Sequence, residues 1–263
     1  MIKREFKVNL KSFIIWTGIL ILMFLAVFIV YPFIITDESL KSLDEMMELF
    51  PKEMLKAFNM DITSINTAYG WLKTEGFMFV LIIIGIYSSV LGLNIVLKEE
   101  SDKTIEYLSF LPLTRTRIMT NKIIVGISYI VMMVLIVGLF NYIALLISGD
   151  FDQKQYILLS LTPLLIGIPL FSINLFISTF LNKTKKSFAI GLGLVFLFYI
   201  LNVLSELSNN VEFLKYLSIY TLADIRNVIS NVSINPINVI ISIIITVLFM
   251  IGSYIRYNKK ELI

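Results

Sequence analysis

Six long apolar stretches organise the chain, at about 13–35, 77–97, 123–147, 156–181, 188–205 and 237–257. Each is near or beyond the roughly 18 residues that cross a hydrocarbon core of about 30 Å. Lipid offers a backbone no hydrogen-bond partner, so all six are predicted to be helices. The fold class is therefore an all-α integral membrane protein with six transmembrane helices. The segments between them are also patterned. In the 36–76 loop, Leu40, Leu43, Met47, Phe50, Met54 and Phe58 recur at three- and four-residue steps. That spacing predicts an interfacial amphipathic helix, divided near Pro51. Its Phe50, Met54 and Phe58 read either as an outer cap or lateral gate that touches substrate, or as a surface helix that merely covers the bundle.

Between the second and third spans, Ile105, Leu108 and Leu111 fall on one face, flanked by Tyr107 and Phe110, and Asp102, Glu106 and Ser109 on another. The spacing predicts a short amphipathic helix over about 99–112, with Ser101 or Asp102 as its N-cap and Pro112 ending it. The 206–236 segment, with Phe213, Leu214, Leu217, Ile219 and Leu222, is too apolar for a solvated linker.

Charge orients these elements. Of the 22 Lys and Arg residues, 15 lie in the N-terminal arm, the 98–122 and 182–187 loops and the C-terminal tail. The positive-inside rule then puts both termini in the cytoplasm. Lys183, Lys185 and Lys186 of the 182–187 turn read as a second cytoplasmic contact or as an anchor on anionic lipid. The apolar run behind the N-terminal lysines is too long for a signal peptide and is followed by no small-residue cleavage site, so it is read as a retained span.

Composition narrows the chemistry. The hydrophobic fraction is 57% and the charged fraction 16%. About six spans of ~20 residues leave no room for a second catalytic domain, so 1–263 is read as a single transmembrane domain. Cys and His are both absent, which excludes disulfides, Cys or His metal ligation and His-assisted nucleophiles. No metal site is expected. The net charge of +3 reports loop asymmetry, not nucleic-acid binding. No G-x-x-x-x-G-K-[ST] occurs, so ATP is not bound here by a P-loop. The span interiors lack the buried carboxylates of a proton relay. Their polar residues, Tyr87, Asn94, Asn141, Asn174, Tyr199 and Asn202, serve more commonly for interhelical hydrogen bonds than for substrate contact. Tyr87, Asn94, Asn174, Tyr199 and Asn202 are the pathway candidates. So apolar a lining suits an amphipathic or hydrophobic cargo, such as a peptide, drug or lipid-like molecule.

The order Glu99-Glu100, Thr104-Ile105-Glu106-Tyr107-Leu108, Leu111-Pro112 and Arg115 through Lys122 resembles the coupling-helix region of type-2 ATP-binding-cassette permeases, the membrane subunits of many bacterial exporters. The resemblance runs the whole chain, through six spans, cytoplasmic ends and long first and last outer loops. One departure is Lys103, where many members carry Gly before the Thr. The resemblance implies a multi-pass permease of the bacterial cell membrane, surrounded by lipid. It implies pairing with a second permease, as a homodimer or a heterodimer, and with a cytosolic P-loop ATPase that holds ATP and Mg²⁺, this chain binding no cofactor of its own. It places Glu99, Glu100, Asp102, Thr104, Glu106, Tyr107, Leu108, Pro112, Arg115 and Arg117 at the ATPase contact, and makes 206–236 a pair of short re-entrant helices closing the outer side of the pathway, where Tyr220, Asp224 and Arg226 line it or form an ordinary helix cap. A rival reading is a non-transporting sensor or immunity protein that binds antimicrobial peptide through the 36–76 loop.

Overall fold

The computed structural model describes residues 1–34, 42, 45, 67–101, 114–181, 184–207 and 209–260. Among them the regular structure is entirely helical, with no strand. The elements are α1 (Ile2–Ile34), α2 (Ala68–Trp71), a π-helical turn (Leu72–Gly76), α3 (Phe77–Ser101), α4 (Arg115–Ser148), α5 (Gln153–Ser178), α6 (Ser187–Leu207), α7 (Ile225–Asn231) and α8 (Pro236–Lys259). Short 3₁₀ segments at Thr184–Lys186, Asn209–Tyr216 and Tyr220–Leu222 complete the connections. Six helices, α1, α3, α4, α5, α6 and α8, are long and apolar enough to cross a membrane.

Two of these outrun their apolar stretches. At 1.5 Å per residue, the 33 residues of α1 and 34 of α4 give lengths of about 50 Å, well over a hydrocarbon core of about 30 Å. The surplus lies at the polar start of each helix. Thr114 caps α4, its hydroxyl accepting from Arg117 N, so helix begins before the apolar run does. Glu5, Asn9 and Phe13 recur at four-residue steps and are buried, so packing carries the polar start of α1 in helical form. In the other direction α5 ends at Ser178, short of the apolar run to 181, where Thr179 starts a turn.

The centre is the α3–α5 pair. α5 packs on α3 and α8, α1 on α4, and α6 on α3. Gly92 allows the central approach: a Cβ there would sit 2.5 Å from the carbonyl oxygen of Phe171. The outward sides of α1, α4, α6 and α8 expose Leu22, Ile147, Leu197 and Leu248, surface suited to lipid or to a second chain.

Helix α5 continues through Pro163 and Pro169, each of which removes an N–H and frees the carbonyl four residues back. Both freed carbonyls have partners. The Thr162 hydroxyl donates to Leu159 O at 2.8 Å, a repair within the helix. The second comes from a neighbour, the buried Ser242 of α8, whose hydroxyl donates to Leu165 O at 3.1 Å. Small polar residues at the α8–α5 seam, Ser242, Thr246 and Ser253, allow this approach.

Candidate functional site

The start of α1 and the end of α8 both lie against the start of α4, at what is called here the terminal end of the bundle. The contacts there converge on the two stems of the 102–113 loop, α3 running in and α4 running out. The key residue is Lys122, in the second turn of α4 and 0% exposed. Its ammonium donates to a Glu99 carboxylate oxygen at 2.8 Å, to Ile95 O at 2.6 Å and to Glu5 Oε2 at 3.4 Å. An ammonium has three donors, and here each has an acceptor. Arg4 reaches Glu99 Oε1 at 3.4 Å, so two cations face two anions and the cluster is neutral. Asn9 donates to Glu5 O at 2.9 Å, and a cleft of about 170 Å³ lies beside the cluster, lined by Arg4, Glu5, Asn9, Asn94 and Lys98 among others. Removing Lys122, Glu5 or Glu99, the three buried members, leaves an uncompensated charge, at a cost of about 3–5 kcal/mol.

The remaining segments at this end are tied to the same stems. Arg115 donates to Lys260 O at 2.7 Å and to Asn258 O at 3.1 Å, joining the C-terminal end of α8 to the start of α4. Ser187 donates to Asn94 Oδ1 at 2.7 Å, and the Thr184 hydroxyl to Ser101 Oγ at 3.0 Å, joining the 182–187 turn to the end of α3. Thr120 and Tyr254 share a hydroxyl contact of 2.8 Å.

At the opposite end the 209–235 segment folds over α3, α6 and α8 and bounds a cleft of about 560 Å³. Met78, Leu81, Ile241 and Ile245 supply apolar walls, and Asn202, Thr221 and Asn238 polar ones. Tyr220 is buried, its hydroxyl donating to Leu81 O at 3.4 Å and its ring edge-on to Tyr199 at 5.7 Å. Burial pushes its phenol above the ordinary range, so it remains a neutral donor. Tyr199 donates to Met78 Sδ at 3.1 Å and Thr221 to Asn202 Oδ1 at 3.1 Å. Arg226 pairs with Glu206 at 2.9 Å. Asp224 adopts φ 33° and caps α7, accepting from Asn227 N. Beside this region Tyr69 donates to Gln155 Oε1 at 2.6 Å, and Gln155 donates to Ile229 O at 2.8 Å.

The sequence-predicted residues thus fall in two groups about a bundle length apart. Glu99, Arg115, Asn94 and, through its segment, Lys186 belong to the terminal end, with Arg117 exposed in the first turn of α4. Tyr199, Asn202, Tyr220, Asp224 and Arg226 belong to the opposite cleft. Tyr87 and Asn174 are buried between the two, and the Tyr87 hydroxyl and Asn174 Oδ1 have no hydrogen-bond partner among the described residues. Phe50, Met54, Phe58, Asp102, Thr104, Glu106, Tyr107, Leu108, Pro112 and Lys183 lie outside the described residues, as do the side chains of Glu100 and Lys185. The expected helix over about 99–112 is therefore described only to Ser101, and the expected outer-loop helix lies outside the described residues apart from Ser42 and Glu45. Glu5 and Lys122 were not singled out as site residues from sequence. In the sequence Lys122 marks re-entry into the third span.

The sequence model of the ABC-2 family transporter proteins matches residues 1–262. No curated protein and no solved structure matches the chain. With the match spanning the chain and six helices fit to cross a membrane, the protein belongs to the ABC-2 transporter family and is a multi-pass membrane permease.

Proposed function

We propose that this ABC-2 family permease is the membrane subunit of an ATP-driven exporter, moving an amphipathic or hydrophobic molecule across a bacterial cell membrane. Members of the family generally work with a cytosolic ATPase subunit. On this reading the terminal end faces the cytosol, in keeping with its share of Lys and Arg. The 102–113 loop docks on the ATPase, with Leu108 and Tyr107 supplying buried area and Glu106, Arg115 and Arg117 polar specificity. A second permease completes the pathway, and ATP and Mg²⁺ stay on the partner.

The observation that carries the reading is the clasp at the loop's root. Lys122, Glu99 and Ile95 join the incoming and outgoing stems, so a displacement of the loop is delivered to α3 and α4 together. α3 in turn packs on α5 at the centre. A two-state switch needs such a rigid element, whose position the partner can bias. Tyr87 and Asn174, with partnerless oxygens in the core between the two ends, suit a pathway that opens to water or cargo in another state.

Inside-out vesicles from cells making the chain and its native ATPase test this. ATP should drive uptake of a fluorescent amphipathic peptide, and Leu108→Asp should abolish it while the permease remains inserted. Uptake unaffected by ATP, together with peptide binding lost on Phe50→Ser and Phe58→Ser, would favour the sensor or immunity reading instead.

A further inference from the structure

The Lys122 cluster joins more than the two stems of the loop. Glu5 and Arg4 come from the first turns of α1, a segment with no chain connection to the 102–113 loop, and both reach into the cluster. The tie extends along the helix. Asn9 donates to Glu5 O, Tyr129 of α4 donates to Phe6 O, and the Tyr129 ring packs on Phe6 at 5.2 Å and Phe13 at 4.8 Å. On its other side α1 presents Lys3, Lys7, Leu10 and Lys11 to the surroundings. The start of α1 is thus fastened along one face to α3 and α4 and free along the other.

An ammonium with all three donors engaged and no exposure is a directional fastener. Its acceptors lie on α1 and α3 while its stem belongs to α4, so sliding or rotating any one helix breaks a charge-assisted contact between side chains that are almost wholly buried. A bland packing contact between leucines would tolerate such sliding. We propose that Lys122 is a positioning residue that makes the first turns of α1 part of the rigid body carrying the 102–113 loop, so that the N-terminal helix moves when the loop is moved. The structural part of this stands on the cluster alone; its use in coupling rests on the exporter reading.

The absence of cysteine gives a direct test, since two introduced cysteines are the only labelling sites. Spin labels at Leu10→Cys and Thr116→Cys, in the full chain in lipid nanodiscs, report the distance between the free face of α1 and the outgoing stem. The native background should give a single narrow distance distribution. Lys122→Met should broaden it and shift it to longer distance, and Lys122→Arg, which keeps charge and donors, should restore the narrow peak. Glu5→Gln, which leaves the Glu99–Lys122 pair in place, is the second variant should Lys122→Met fail to fold. It should broaden the same distribution without separating the stems, read by a Lys98→Cys and Thr116→Cys pair. An unchanged Leu10–Thr116 distribution in either folded variant overturns the proposal.

The coupling arm uses the complex with its ATPase, trapped with ATP and vanadate. Trapping should leave the Leu10–Thr116 distance of the native protein unaltered and change it in Glu5→Gln. A native distance that changes on trapping overturns the proposal, because α1 would then move separately from the loop. Recovery of no ATPase would count against the exporter reading, and the nucleotide-free distances would still judge the fastening of α1.

Discussion

Ser242→Ala isolates one interhelical hydrogen bond whose value depends on a proline in another helix. Pro169 takes away the N–H that Leu165 O would otherwise accept from, and the Ser242 hydroxyl fills the vacancy at 3.1 Å. Replacing Ser242 by Ala leaves that carbonyl unpaired at a site where Ser242 is only 5% exposed. A lost interhelical bond between membrane helices costs about 0.6 kcal/mol on average and up to about 1.7, and an unsatisfied buried acceptor about 1–3 kcal/mol. A loss of about 1 kcal/mol is expected, lowering the midpoint of thermal unfolding by about 2–4 °C for a chain of this size. The same substitution in a Pro169→Ala background should cost almost nothing, because alanine in place of the proline restores the N–H within α5. Thermal unfolding of the wild type, two single variants and the double variant in one detergent closes the cycle. Equal losses from Ser242→Ala in both backgrounds would refute the argument, since the hydroxyl would then not be serving the carbonyl that proline freed.

Gly85 lies against Tyr220, and a Cβ at that position would overlap the Tyr220 hydroxyl. Gly85→Ala should therefore cost about 1–3 kcal/mol by overpacking. Adding Tyr220→Phe should recover most of that loss, because the next ring atom, Cζ, lies at 3.5 Å; Gly193→Ala, with nothing within 4 Å, is the neutral control, and a double variant no better than Gly85→Ala would place Tyr220 elsewhere. Burial raises the Glu75 carboxyl above its ordinary value, so the fold favours the protonated form, and that contribution is lost as pH rises through the folded pKa. Glu75→Gln should raise the unfolding midpoint at about pH 7 and do little at about pH 4, where the native carboxyl is protonated in the fold; an equal gain at both values would contradict the sign.

The spans are legible because hydrophobicity alone specifies a membrane helix, and each of the six stretches corresponds to one long apolar helix of the structure, though the fourth outruns its helix, which ends at Ser178. Where α1 and α4 begin is less legible. Their polar first turns are helical because of what they pack against, and Glu5 and Lys122 are 117 residues apart in the chain. The same distinction separates the two proline repairs in α5. Thr162 sits beside Pro163 and its role is local, whereas nothing near Pro169 in sequence points to Ser242 of α8. The two-ended grouping of the candidate residues follows from the span order, which sends Asn94 and Asn202 to opposite ends. The inward position of Lys122 does not, since a lysine at a span end ordinarily marks the interface, and only partners from two other helices bring it inside.

The central claim is that a separate ATPase drives this permease through the 102–113 loop. Its most direct measurement is affinity purification of the full chain from its native membranes in mild detergent, with ATP hydrolysis assayed in what is retained, for wild type and Leu108→Asp. The wild type is expected to bring down a P-loop ATPase that hydrolyses ATP, and Leu108→Asp to lose it at unchanged permease yield. Wild-type permease free of any ATPase after gentle crosslinking, or equal retention by both proteins, would contradict the account.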